Sequence, residues 1–348
     1  SKFLGNDLIT RGGRVRFLVS PFGDLNSIFF DLNCKNFSAE INAIFDKDSF
    51  TNIEVSKLES PSQKFKLTFN KKNNEVVLSG DKFTFSDFDL FDNKGSDLND
   101  IILRTKIKEV VINDMKFEYP IFNISIKNGL IQNLNMLLAS EKKKHKVLID
   151  DEKNKKKFIL ESNYLPDLVK LFGEDIGVNR GSIKIEGTSS YGSNLYEGLI
   201  AGNDIVFTDA PFFANFFSLF SLQGLAQKIK DGGIIFDKYK SRYELSKNKL
   251  RIIDSLLTGS ELGIQFDSVI GLNNDYLLVN GSIIPAYTLN TLLTKFPIVG
   301  DIITAGSPED GLIGANFKIE KDDKGEIDIS YNPISVFVPN ILKNFLID

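Results

Sequence analysis

The chain is 348 residues long, enough to bury a sizeable core without disulfides or metals. Its 42 basic and 46 acidic residues give a formal charge of -4, which speaks against the basic balance or stripe of a nucleic-acid binder. The single cysteine, Cys34, excludes an intramolecular disulfide and a multi-cysteine zinc site.

The 30 Phe, beside 9 Tyr, 2 Met and no Trp, make the aromatic content almost wholly apolar, so these rings need burial or an apolar partner. Nothing near Ser1 reads as a signal segment, and no apolar run approaches the ~18 residues of a membrane span. A soluble piece of a longer protein is therefore expected.

Residues 1–160 are dominated by alternation of period two, the mark of strands with one apolar and one polar face. In KFKLTFN, Phe65, Leu67 and Phe69 point one way while Lys64, Lys66 and Thr68 point the other. The pattern recurs at Phe83 and Phe85, shifts phase to Phe88 and Leu90 as a β-bulge would cause, and returns at Phe122, Ile124 and Ile126. Asn73-Asn74, Lys94-Gly95 and Asn128-Gly129 read as turns. The stretch from Glu141 to Lys157 reads as a hairpin with lysine-rich ends, either a solvated edge or a contact for anionic headgroups.

Beyond Tyr164 the texture changes, and the spacing predicts helices near 164–173, 211–231, 285–296 and 336–346. The second begins at Pro211 and presents Phe212, Phe213, Phe216, Phe217 and Phe220 on its apolar side. It fits a core helix plugging the sheet, an end cap, or a helix that docks on a membrane. Between the helices come further strands, with Ile183 and Ile185 sharing a face in GSIKIEG, and Ile264 and Phe266 in LGIQFDSVIGL. The pattern predicts a mainly β fold with a few helices, largely antiparallel. Residues 1–160 form one sheet segment and 161–348 a second region with helices. Alternation alone fits a closed sandwich as well as an open groove.

Five short blocks in the second half, in order, carry a resemblance: LPDLVKLFGEDIGVNRGSIKIEG, FTDAPFFANFFSLFSLQGLAQKIKDGGIIFDKY, GSIIPAYTLNTLLTKFPIVGDIIT, GLIGANFKI and YNPISVFVPNILKNF. Over about 164–345 the chain resembles the AsmA-like C-terminal region of large cell-envelope proteins of Gram-negative bacteria. It departs from that pattern at Gly306-Ser307-Pro308-Glu309-Asp310 and at Pro339-Asn340, both at turns. The resemblance implies a bridge-like lipid transfer protein: an inner-membrane anchor that is absent here, and a long curved sheet crossing the periplasm, its concave face apolar. Such proteins are thought to move phospholipid towards the outer membrane. The expected groove lining is Phe65, Leu67, Phe69, Phe83, Phe85, Phe122, Ile124, Ile126, Ile183, Ile185, Ile264 and Phe266. The expected partners are phospholipid and the inner face of the outer membrane, with no cofactor and no metal.

Exposed methylenes cost about 0.8 kcal/mol each, so the roughly thirty of a two-chain lipid set a penalty on the order of 20 kcal/mol that only a continuous apolar surface offsets. No catalytic constellation competes with this reading. His145, the only histidine, lies in the lysine-rich stretch and is expected to face solvent. Asp87, Asp89 and Asp92 lack the glycine and glutamate of a calcium loop, and Asp150-Asp151-Glu152 and Glu174-Asp175 are sequence neighbours, poorly placed for paired acid and base work. The rival reading is a structural or assembly factor for outer-membrane protein biogenesis that works through sheet edges without lipid cargo.

Overall fold

The computed structural model describes residues 10–19, 25–34, 36–46, 49–85, 100–128, 130–152, 155–171, 177–190, 195–208, 233–260, 262–273, 276–285, 314–321 and 327–334. The chain divides into two compact units, Ser1–Asp151 and Glu152–Asp348. As the alternation predicts, it is almost entirely β, and one helix occurs among the described residues.

In the first unit β1 (Thr10–Val19), β2 (Leu25–Cys34), β3 (Ser38–Asp46), β4 (Ser49–Glu59), β5 (Lys64–Asn70) and β6 (Glu75–Phe85) each pair antiparallel with the next. β6 then pairs in parallel with β7 (Ile101–Ile112). Along β7 run two short strands, β8 (Met115–Glu118) and β9 (Ile121–Lys127), both antiparallel to it. β10 (Leu130–Ser140) and β11 (Lys143–Glu152) complete the order.

The turns explain this succession. Asn74, Asn113, Asp114, Asn128 and Glu141 adopt positive φ between 47° and 63° at the reversals, a region that Asn and Asp tolerate better than most residues. The expected turns at Asn73-Asn74 and Asn128-Gly129 thus mark the β5–β6 and β9–β10 reversals. The segment read as a hairpin over 141–157 supplies β11 and the start of β12, which follow one another in the chain.

β8 and β9 keep one register along β7 and are separated only at Tyr119 and Pro120. Pro120 has no N–H for a ladder, and Tyr119 takes a positive φ of 46° there. Thr105 bridges the break: its Oγ1 donates to the Phe122 carbonyl at 3.1 Å and accepts from the Phe122 N–H at 3.0 Å.

The second unit contains β12 (Lys155–Ser162), α1 (Leu165–Leu171), β13 (Val178–Ser190), β14 (Tyr196–Phe207), β15 (Ile234–Leu245) and β16 (Lys249–Thr258). β17 (Leu262–Gly271), β18 (Leu277–Pro285), β19 (Gly314–Lys321) and β20 (Ile327–Ile334) follow. From β12 to β20 every strand pairs antiparallel with its sequence neighbours. α1 realises the helix expected near 164–173. Pro166 sits in its first turn, Asp167 and Lys170 lie at the ends that the helix dipole favours, and the helix packs on β13.

Other expectations meet the structure as follows. Pro285, expected as the first residue of a helix, is the last residue of β18, opposite Leu262, where its missing N–H costs no ladder bond. The rest of the helix expected over 285–296, those over 211–231 and 336–346, and Phe88 and Leu90 lie outside the described residues. A phase slip occurs at Asp81, where Phe65 pairs with Gly80 while Lys64 pairs with Lys82; the slip expected between Phe85 and Phe88 lies outside the described residues.

Candidate functional site: an apolar sheet face

Residues directly opposite one another on paired strands share a face. Followed strand by strand, the first unit's registers give a transverse row: Phe17, Ile28, Ala43, Ile53, Phe69, Val76, Leu103, Ile124, Leu134 and Ile149. Every position is apolar across ten strands. A neighbouring row runs Phe30, Ile41, Val55, Leu67 and Leu78. The registers therefore bring Phe65, Leu67, Phe69, Phe83, Phe122, Ile124 and Ile126 onto one face, and the rings of Phe65 and Phe83 meet edge to face at 5.0 Å. Phe85 occupies a matching backbone position at the end of β6; its side chain lies outside the description.

This face is only partly covered. In β5 the burial alternates strictly, with Phe65, Leu67 and Phe69 half-buried and their neighbours exposed. Among the described residues no helix or second sheet packs over it as a layer.

The opposite face is charged. Asp81 is gripped by Lys108 Nζ at 2.8 Å and Lys64 Nζ at 3.2 Å, which hold its carboxyl below the usual carboxylate range and, in return, raise Lys108. Glu109 lies 3.7 Å from both Lys82 and Lys116, and Arg104 Nε donates to Glu75 Oε1 at 2.7 Å. The phase slip at Asp81 thus keeps two successive residues of β6, Asp81 and Lys82, on the wet side, each matched by a counter-charge on β7.

Towards β8 the apolar face closes. Ile107, Val110, Ile112, Phe117 and Leu138 are buried, with Phe117 fully so. Here the expectation for His145 fails: it is 1 % exposed, its ring edge to face with Phe117 at 5.9 Å. The reason is register. His145 stands opposite Leu138, and the alternation of β11 sends Lys144 and Lys146 to the other face. A lysine-rich segment hid an apolar-facing position.

In the second unit Ile183, Gly202, Tyr239, Leu257, Ile264 and Ile283 form one transverse row, so two of the four expected lining residues share it. Ile185 pairs with Leu160 and Ile200, and Phe266 with Ser255. Burial is deeper here: Ile264 is 4 % exposed, and Ile200, Phe236, Leu262 and Ile283 are also buried. Ile183, Ile185 and Phe266 are half-buried.

Sequence reasoning missed Tyr243. Its ring lies over Gly187, where a Cβ would collide with the phenol oxygen. The hydroxyl is buried without a hydrogen-bond partner among the described residues, and burial pushes its pKa up to about 12. Tyr239 Oη donates to Ser241 Oγ at 3.1 Å, and Ser241, Ser255 and Ser268 are buried among the apolar rows. Strand alternation that places serine inward was the available signal.

Asp87, Asp89, Asp92, Glu174, Asp175 and the phenylalanines Phe212, Phe213, Phe216, Phe217 and Phe220 lie outside the described residues. Among the described residues no group of three or more His, Cys, Asp or Glu side chains is placed to hold a metal, and no helix is long and apolar enough to cross a membrane. Comparison of the chain with family models, curated proteins and solved structures found no match.

Proposed function

We propose that the chain is a segment of a lipid-transfer protein of the bridge-like, AsmA-like kind, which shields the acyl chains of phospholipid on an apolar sheet face in the periplasm. The observation that carries the reading is the ten-strand apolar row of the first unit, half-buried from Ile28 to Ile149, exposed at Phe17 and without a second layer among the described residues. A closed sandwich would pack a second sheet about 10 Å away over such a face. Phe, Ile and Leu offer lipid tails no hydrogen bond, so contact along the row is unselective and leaves no deep well to arrest sliding.

The lengths fit as well. The 7 residues of β5 span about 23 Å at ~3.3 Å each, more than the ~15 Å depth of one leaflet's tails, so a headgroup remains at the strand end in water. In this reading the chain belongs to a longer protein anchored in the inner membrane and delivers lipid towards the outer membrane. It catalyses no reaction.

Native mass spectrometry of the protein purified from cells tests this. Phospholipid adducts are expected on the wild type and their loss in the triple variant Phe65→Asp, Leu67→Asp, Phe69→Asp, with circular dichroism checking that the sheet persists. A wild-type protein that never carries lipid, or a folded triple variant that carries it unchanged, overturns the proposal. Recovery of envelope proteins paired along β1, with no lipid, supports the assembly-factor reading; Phe17 and Leu18 on that strand are 64 % and 61 % exposed.

A further inference from the structure

The apolar row of β5 does not end in a neutral turn. Lys71 is the first residue of the turn that follows β5, and its side chain reaches back over the aromatic end of the row. Its Nζ lies 5.2 Å from the centre of the Phe50 ring, and Phe50 meets Phe69 at 5.9 Å. The turn that carries it is tied down. The Lys71 N–H donates to Thr51 O at 2.9 Å, the Asn74 N–H to Lys71 O at 3.2 Å, and the Lys72 N–H to Asn70 Oδ1 at 2.9 Å.

Its charge, like those of Lys66, Lys72 and Lys106, meets no carboxylate among the described residues, but of these four only Lys71 stands over an aromatic ring. On the opposite face Lys64, Lys82, Arg104, Lys108 and Lys116 all have carboxylate partners. Lys71 forms no ion pair among the described residues. Glu75, the carboxylate closest to it in sequence, is held by Arg104 at 2.7 Å. An unmatched ammonium, propped on an aromatic ring at the end of an apolar row, complements one kind of molecule: an amphiphile whose tail lies along β5 and whose headgroup carries negative charge.

We propose that Lys71, with Phe50 and Phe69 beneath it, is the headgroup end of the acyl-chain site and selects anionic over neutral amphiphiles. This rests on the acyl-chain reading above. A single lysine acting near an apolar surface contributes about fivefold in affinity, and less as salt rises.

The test compares lysophosphatidate with monoacylglycerol bearing the same oleoyl chain, by displacement of an environment-sensitive fatty-acyl probe from the whole protein, with glycerol phosphate as the tail-free control. Lysophosphatidate is expected to bind about fivefold tighter than monoacylglycerol, and glycerol phosphate to displace nothing. Lys71→Met keeps the apolar stem and should erase the preference by weakening lysophosphatidate alone; Lys71→Arg should restore it. Equal affinities in the wild type, or a preference that survives Lys71→Met, overturn the headgroup assignment while the acyl-chain reading stands. Failure of both amphiphiles overturns both. Displacement by glycerol phosphate makes the site one for free phosphate and overturns the assignment.

Discussion

At the scale of single residues, the buried polar groups on the apolar face leave a measurable trace. Burial favours neutral Tyr243, so its folded pKa of about 12 stands above the 10.0 of an unperturbed phenol. A raised value means that the contribution to stability is complete below pH 10 and is lost as pH climbs towards 12. That loss is on the order of 2 kcal/mol for a shift of this size. Urea denaturation at stepped alkaline pH should show it in the wild type and not in Tyr243→Phe. Near neutral pH the same variant should be as stable as the wild type or more so, since it removes a buried hydroxyl that has no partner among the described residues. Lys108 and Lys184, whose pKa values Asp81 and Glu186 raise, also lose their contributions at high pH, so the difference between the two proteins is the quantity to follow. Asp81 behaves in the opposite sense: its lowered pKa supplies stability above the ordinary carboxylate range that disappears as acid protonates it.

At the scale of elements, the break between β8 and β9 depends on a side chain. Thr105→Val keeps the shape but removes both bonds to the Phe122 backbone, which should cost about 1–3 kcal/mol and speed exchange of the Phe122 amide without unfolding β10. This is also the scale at which sequence was most and least informative. β5 was legible because KFKLTFN alternates without interruption and its burial follows residue by residue. β11 was not, because lysines flank its histidine and only pairing with β10 shows that His145 belongs opposite Leu138. Pro285 is ambiguous for a related reason: a proline suits a first helical turn and a strand's end equally, and only its pairing with Leu262 shows that it ends β18. Of the candidate lining, Phe65, Leu67, Phe69, Phe122, Ile124 and Ile126 could be grouped by local alternation, but their common face is a property of register, which no single segment encodes. Lys71 escaped notice because a lysine in a turn has no local signature; its meaning comes from Phe50, on the strand paired with β5.

At the scale of the whole molecule, the two units treat their apolar faces differently. Among the described residues eight apolar side chains are buried in the first unit, from Cys34 to Leu138, and fourteen in the second, from Leu160 to Ile319. The first unit therefore leaves more of its face for a ligand to cover, and a ligand that binds only the folded state stabilises what it touches. Hydrogen exchange with and without lysophosphatidate should show added protection in β3 to β6 and none in β14 to β17. Equal protection in both units would place the contact elsewhere.

The succession of neighbours pairing with neighbours has a consequence for how such a chain changes over evolutionary time. From β12 to β20 each strand needs only the strands before and after it, so a duplicated or deleted hairpin alters the sheet's width by two strands and leaves every other register intact. Loss or gain of a single strand would leave the next one running the wrong way. The parallel β6–β7 pair is the one described junction in the first unit where that alternation resets, so single-strand edits there leave the remaining pairings unaltered. Width is thus a quantity that gene-level edits can tune in small steps, with the apolar rows extended or shortened and their chemistry unchanged.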